Sequence, residues 1–182
     1  MTWLNAIALL VVTYLVVFFQ ATFHDLRHWL GVQIDLVPGL VVYASLSGGI
    51  ITVTLVSLCG GLWMDSLSAN PLGVSVLPLF LMGLFMQRSR DFILRDQPFA
   101  QFVLGASGSA AASLFTLLII INIHRQPLIG WWSLWQWFAV SLVGGAMTPV
   151  WFRCFDWIGQ ALDYRPLGES SFRTDREIKR GR

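Results

Sequence analysis

The sequence predicts an all-α protein, a polytopic bundle of transmembrane helices. Of its 182 residues, 55% are apolar and 12% are charged, whereas soluble proteins carry about a quarter charged residues. Long uncharged stretches dominate the chain, and each reaches the roughly 20 residues that one membrane-spanning helix needs. They cover residues 1–23, 36–64, 66–87, 97–123 and 126–152.

The first stretch has the character of a retained span rather than of a cleaved secretion signal. No basic residue precedes its apolar core, and no small-residue cleavage pattern follows that core. We therefore expect residues 3–23 to form the first helix. The two cysteines, Cys59 and Cys154, lie in apolar segments without metal-ligand spacing, which predicts packing and no disulfide.

The second stretch, residues 36–64, is too long for one upright helix. It would extend about 43 Å as a continuous helix, against a hydrocarbon core of about 30 Å. Either it is a single tilted span, or it breaks at the small residues 45–49, which include Gly48 and Gly49. A break gives six membrane segments with a cytoplasmic N-terminus, and an unbroken helix gives five. The loop 24–35 carries two acidic residues and one basic residue, which favours six.

Basic residues are concentrated in two regions, as expected where a membrane protein faces the cytoplasm. Ten of the twelve lie in the loop 87–97 or from Arg153 onward, and two predicted spans separate these regions. Both regions therefore fit on the cytoplasmic side. We divide the chain into a transmembrane domain, residues 1–155, and a cytoplasmic, largely disordered charged tail, residues 156–182. The tail either attracts anionic lipid or only fixes the topology.

Tryptophan is concentrated at the start of the last predicted span. Four of the seven residues 131–137 are tryptophan. We interpret this cluster as an interfacial anchor rather than as an aromatic cage for a ligand, because such amphipathic rings suit the level of the lipid headgroups.

Asp65 is a single charge inside an apolar run, with more than twenty uncharged residues on each side. An aspartate at the bilayer centre costs roughly 3 kcal/mol on insertion scales. The turn-forming residues Ser66, Ser68, Asn70 and Pro71 follow it, which places Asp65 at a helix end near the outer interface. We therefore predict a cap or turn role. A contact with a partner protein and proton or ion coupling are the alternatives.

The sequence offers no converging set of catalytic side chains. His24 and His28 are four residues apart, but they form no HExxH pattern and have no evident third ligand, and His124 stands alone. No nucleophile motif, phosphate-binding loop or dinucleotide fingerprint is present. The sequence thus predicts no enzyme, no catalytic residue, no metal, no cofactor and no nucleic-acid partner.

Small residues form a stripe in the fourth stretch. Gly105, Ser109 and Ser113 are spaced at i, i+4 and i+8, so they share one helix face on which another helix can pack closely. The stripe predicts packing within the bundle. The alternative is that it faces a different membrane protein, because close contact between helices in lipid depends on small residues.

The segment around Asp65 carries a motif with defined spacing. It reads Gly61-Leu62-Trp63-Met64-Asp65-Ser66-Leu67, followed by Pro71-Leu72-Gly73-Val74 and an apolar run. This pattern resembles that of MreD, the bacterial rod shape-determining membrane protein family. Upstream, Asp35-Leu36-Val37-Pro38-Gly39-Leu40 is similar to the family's proline-led entry into its second span.

The resemblance implies a six-helix protein of the bacterial inner membrane with both termini in the cytoplasm. It also implies a non-enzymatic scaffold of the cell-wall elongation machinery, which makes peptidoglycan and maintains rod cell shape. The implied partners are an MreC-like protein, a RodA-type glycosyltransferase, a penicillin-binding transpeptidase, the actin-like MreB and membrane lipid. By carry-over, Gly61, Asp65, Pro71 and Gly73 form a turn that shapes a partner-binding surface.

The family's helical arrangement is similar to that of the substrate-capture subunits of energy-coupling-factor vitamin transporters. In that alternative, the bundle binds a small vitamin-like molecule at its outer mouth, with Asp65, Asn70, Trp131 and Trp135 as the lining. Short outer loops and few polar groups disfavour such a site, because a specific pocket needs several placed polar contacts. The scaffold is therefore the preferred hypothesis.

Overall fold

Six α-helices make up the part of the chain that the structure describes. The structure is a computed structural model, and it describes residues 3–22, 35–68, 71–90, 97–122 and 130–162. The helices are α1 (Trp3–Thr22), α2 (Val37–Ser47), α3 (Ile50–Leu67), α4 (Val76–Arg88), α5 (Pro98–Asn122) and α6 (Trp131–Leu162). No β-strand occurs in these described ranges, and the prediction of an all-α helical bundle is confirmed.

The stretch 36–64 is broken, as one of the two sequence interpretations required. Gly48 and Gly49 both adopt extended backbone, with φ of −105° and −95°. The Gly48 N–H donates to the Ala44 carbonyl at 2.8 Å and closes α2, and the Val53 N–H donates to the Gly49 carbonyl at 3.2 Å and opens α3. Two helices therefore replace one long span, which gives six in all.

The short helix α2 lies at the centre of the bundle. Every residue from Val37 to Leu46 is buried, and α2 packs against each of the other five helices. A helix that is apolar on all sides is suited to a protein core or to lipid, and here other helices surround it. With 11 residues it is about 16 Å long, well short of a hydrocarbon core of about 30 Å. The longer helices around it therefore shield it.

The predicted stripe of small residues packs inside the bundle, against α6. A Cβ added at Gly105 would lie 2.6 Å from the Cβ of Thr148, and one added at Gly144 would lie 2.7 Å from the Cβ of Ser109. The two backbones therefore approach more closely than larger side chains would allow. Two members of the stripe are thus covered by α6. The third, Ser113, lines a cavity between the helices.

Large apolar side chains cover much of the outer surface of the bundle. Such a surface suits lipid and would be unusual in a soluble monomer. Three helical stretches are long and apolar enough to cross a membrane, which supports the membrane character predicted from composition. They are Ile50–Leu67, Pro98–Asn122 and Ser133–Gly159, while Ala6–Thr22, Val37–Ser47 and Val76–Arg88 are shorter apolar helices.

Two helix boundaries differ from the sequence interpretation. The stretch 66–87 is continuously helical only from Val76, because a turn precedes α4. The predicted domain boundary after residue 155 lies inside α6, which continues to Leu162. Phe155 is buried against Tyr43 of α2, with ring centroids 4.4 Å apart, and this contact anchors the continuing helix on the bundle. The rest of the predicted tail lies outside the described residues.

The helix directions define two ends of the bundle. The end that we term the Asp65 end contains the starts of α2, α4 and α6 and the ends of α3 and α5. The pairing of Asp65 with Gly73 and of Ala110 with Trp137 fixes the antiparallel directions at this end. The opposite end, termed the arginine end, carries Arg88 as the last residue of α4, Arg90 just after it, and Arg153 in the second half of α6.

Candidate functional site

Asp65 joins the end of α3 to the turn that leads into α4. Only 2% of its surface is exposed, and its Oδ2 accepts backbone N–H bonds from Gly73 at 2.8 Å and from Ser75 at 3.1 Å. A carboxylate that receives two N–H groups in this way satisfies donors that no helix or strand would otherwise pair. The side chain therefore determines how the chain reverses between the two helices.

The backbone geometry explains why glycine occupies two positions of the motif. The Val74 N–H donates to the Pro71 carbonyl at 3.3 Å, which closes a four-residue turn, and Gly73 at its third position has a φ of +93°. A positive φ at that position is typical of a type II turn and favours glycine. A Cβ at Gly61 would lie 2.7 Å from the Val76 Cα, so no larger residue allows this approach. The four motif positions thus form one structural unit.

This geometry limits what the motif can contact directly. Gly61 and Asp65 are buried, so in this structure neither can touch a partner protein with its own side chain. The exposed neighbours are Leu67 at the end of α3 and Leu72 at the tip of the turn, where 71% of the side chain is exposed. A partner-binding surface at this unit would therefore consist of the residues that the motif positions, rather than of the motif itself.

A cavity of about 230 Å³ opens between α3, α4, α5 and α6 at the Asp65 end. Its lining includes both polar and apolar residues. The polar lining consists of Asp35, Ser75, Ser113, Thr116 and Gln136, and the apolar lining consists of Met64, Leu79, Ala112, Leu117, Ile120 and Val140. Ser75 connects this cavity to the motif, because its backbone N–H is one of the two bound by Asp65.

Asp35 is the carboxylate of this cavity. It lies just before α2, and its Oδ1 accepts the Val37 N–H at 3.1 Å. The residue is partly accessible. The partial burial of its carboxyl group raises the pKa of Asp35 from 3.8 to about 6, and the hydrogen bond from Val37 opposes the rise. The sequence interpretation treated Asp35 only as a loop charge and as part of the MreD-like pattern. Its place immediately before a proline-led helix start was the available signal.

The residues proposed to line a vitamin-like site lie elsewhere. Asp65 is buried behind the turn, and the side chains of Trp131 and Trp135 are 85% and 54% exposed and do not line the cavity. Asn70 lies outside the described residues. Asp65, Trp131 and Trp135 therefore do not line this cavity, whose polar lining consists of other residues.

No protein-family model, curated protein or solved structure significantly matches this chain. The resemblance to MreD therefore depends on the sequence motif alone.

Polar side chains in the described helices are largely engaged with their own backbone. Thr13, Ser45, Thr116 and Thr148 each donate a hydroxyl bond to a carbonyl three or four residues earlier. Within the described ranges, no group of three histidine, cysteine or acidic residues lies close enough to hold a metal ion. The histidines of the predicted loops, His24, His28 and His124, lie outside those ranges. Both cysteines are free and partly buried.

Proposed function

We propose that this protein is a non-enzymatic membrane scaffold of the bacterial cell-wall elongation machinery, acting in the manner of MreD to maintain rod cell shape. The main support is the unit formed by Gly61, Asp65, Pro71 and Gly73. Each residue type of the motif has a reason in this geometry: a close helix approach, two accepted N–H bonds, a turn start and a positive φ. The motif therefore specifies a shape rather than a reactive group.

The chemistry of the bundle also favours a scaffold. The hydroxyl groups of four residues donate to carbonyls of their own helices, so these four are not arranged as nucleophiles with a neighbouring base; they are Thr13, Ser45, Thr116 and Thr148. The outer surface is apolar over most helices, and such a surface can meet lipid or other membrane helices. A volume of about 230 Å³ is below the roughly 300–1,000 Å³ of usual ligand pockets, which weakens the vitamin-carrier alternative.

We place the protein in the inner membrane as a six-segment protein with both termini in the cytoplasm. Arg88, Arg90 and Arg153 lie at the same end of the bundle, and clusters of basic residues mark cytoplasmic ends of membrane proteins. Reporter domains fused after Arg90 and after Arg182 should both give a cytoplasmic signal. An external signal at either position would reverse this orientation.

Depletion of the protein in its bacterial host tests the proposed function directly. Rod-shaped cells should become round, because the elongation machinery would lose a membrane component. Plasmid-borne wild-type protein should restore the rod shape. Depleted cells that keep their shape and their rate of wall growth would contradict the proposed role.

A pair of surface variants locates the partner-binding surface. Leu72→Gln alters the exposed tip of the Asp65 turn, and Phe99→Gln alters an equally exposed apolar residue, 76% accessible, at the arginine end. At normal protein levels, Leu72→Gln should reduce co-purification of the MreC-like partner, and Phe99→Gln should leave it unchanged. Equal co-purification with both variants would mean that the turn does not shape the docking surface.

A further inference from the structure

We propose that the cavity at the Asp65 end binds a small organic cation, a protonated amine attached to a compact apolar body. This binding site goes beyond the scaffold role and does not depend on it. The proposal follows from the size of the cavity, from the presence of both polar and apolar residues in its lining, and from the hydrogen-bonding state of the polar groups.

The size of the cavity limits the ligand. A cavity of about 150 Å³ holds benzene, so by proportion about 230 Å³ holds a molecule of roughly nine non-hydrogen atoms. Six apolar residues belong to the lining of the cavity, among them Leu79, Ala112 and Leu117. A ring or short branched chain would displace water from these apolar side chains, and that displacement favours binding.

The polar residues of the lining offer several hydrogen-bond acceptors. The hydroxyl of Ser113 already donates to the Ser109 carbonyl at 2.8 Å, and that of Thr116 donates to the Ala112 carbonyl at 2.9 Å. Both hydroxyl oxygens therefore have only lone pairs left to offer a ligand. Asp35 adds a carboxylate whose Oδ1 receives one backbone N–H, from Val37. A ligand that donates several hydrogen bonds therefore fits these polar residues better than a ligand that accepts them.

Charge points to the same class of ligand. Among the described residues of the lining, Asp35 is the only titratable side chain and none is basic, and its neighbours from α3 to α6 are hydroxyl, amide and apolar groups. Asp65 lies behind the turn, on the far side of the Ser75 backbone N–H. With a pKa of about 6, Asp35 is mostly ionised at neutral pH, and an enclosed carboxylate gains from a cationic partner.

The test uses the full-length protein in detergent micelles and two probes of nearly equal size, 2-phenylethylamine and the uncharged 2-phenylethanol. Isothermal titration calorimetry should show saturable binding of the amine, at least about tenfold tighter than binding of the alcohol. The amine should bind about tenfold more weakly near pH 5 than near pH 7.5, because Asp35 with a pKa of about 6 is then mostly protonated. Equal affinities for amine and alcohol, or no saturable binding of the amine, would overturn the proposal.

Matched variants assign the binding to the cavity. Asp35→Asn should weaken amine binding at least about tenfold and leave alcohol binding unchanged, because it removes only the charge. Asp156→Asn, which changes an exposed carboxylate on α6 near the arginine end, should leave both affinities unchanged. Ser113→Leu should reduce binding of both probes by filling the cavity without altering Asp35. Amine binding that survives both Asp35→Asn and Ser113→Leu in monodisperse protein would overturn the site.

Discussion

Two aspartates at the same end of the bundle have contrasting environments. Asp65 is 2% exposed, and one of its oxygens receives two backbone N–H groups from across a turn. Asp35 is partly exposed, receives a single N–H from Val37, and faces a cavity. The carboxylate of Asp65 is thus committed to the fold, whereas that of Asp35 has capacity to bind a further donor.

The difference shows that isolation of a charge in the sequence does not predict its availability for ligands. Asp65 is conspicuous because apolar residues surround it along the chain, yet backbone donors of the following turn saturate one of its oxygens. Its Oδ1 is buried and has no hydrogen-bond partner among the described residues, so no open route leads from it to a ligand. Accessibility in the fold, rather than sequence contrast, separates a structural carboxylate from a binding one.

Replacement of each aspartate by leucine should give the largest contrast. Asp65→Leu leaves the N–H groups of Gly73 and Ser75 without an acceptor, at about 1–3 kcal/mol each, so we expect the free energy of unfolding to fall by about 4 kcal/mol. Asp35→Leu removes one acceptor at a helix start and should cost about 1 kcal/mol. Thermal unfolding of both purified variants in detergent, followed by circular dichroism, measures the difference. Similar melting temperatures for both variants would show that Asp65 is no more structural than Asp35.

An asparagine at the same position separates shape from charge. Asp65→Asn keeps one acceptor oxygen for the turn and loses only the charge assistance, so it should cost about 1–2 kcal/mol, well below the leucine variant. Normal stability of Asp65→Asn together with loss of partner co-purification would indicate that the charge itself acts in binding.

Much of the fold could be predicted from the sequence. Long uncharged stretches and the pair Gly48-Gly49 are local signals; they predicted the helical bundle and offered a break inside residues 36–64 as one of two interpretations, and the structure has that break. The extension of α6 to Leu162 could not be predicted from local composition. It depends on the contact between Phe155 and Tyr43, residues more than a hundred positions apart in the chain.

The candidate site was harder to predict from the sequence, because it also depends on contacts between residues far apart in the chain. The turn after Asp65 was predicted because Ser, Asn, Pro and Gly are short-range turn signals, and Gly73 has the positive φ that such a turn requires. The cavity brings Asp35 close to residues of four helices, and no sequence pattern predicts this proximity. Trp131 and Trp135 are exposed on α6, where they do not line this cavity; the sequence interpretation preferred an interfacial anchor for them and assigned them to a ligand site only in the alternative.

A further prediction concerns the pH dependence of stability at Asp35. Its folded-state pKa of about 6 lies above the ordinary value of 3.8, so the folded protein binds this proton more tightly than the unfolded chain does. The resulting stabilisation is fully present below about pH 4 and is lost as the pH rises through 6. The melting temperature of the wild type minus that of Asp35→Asn should therefore fall between these pH values and stay constant above them. A difference in melting temperature that is constant from pH 4 to pH 7 would mean that Asp35 is as solvated as an ordinary surface carboxylate. Asp35 would then not be the partly buried carboxylate, able to bind a ligand, that distinguishes it from Asp65.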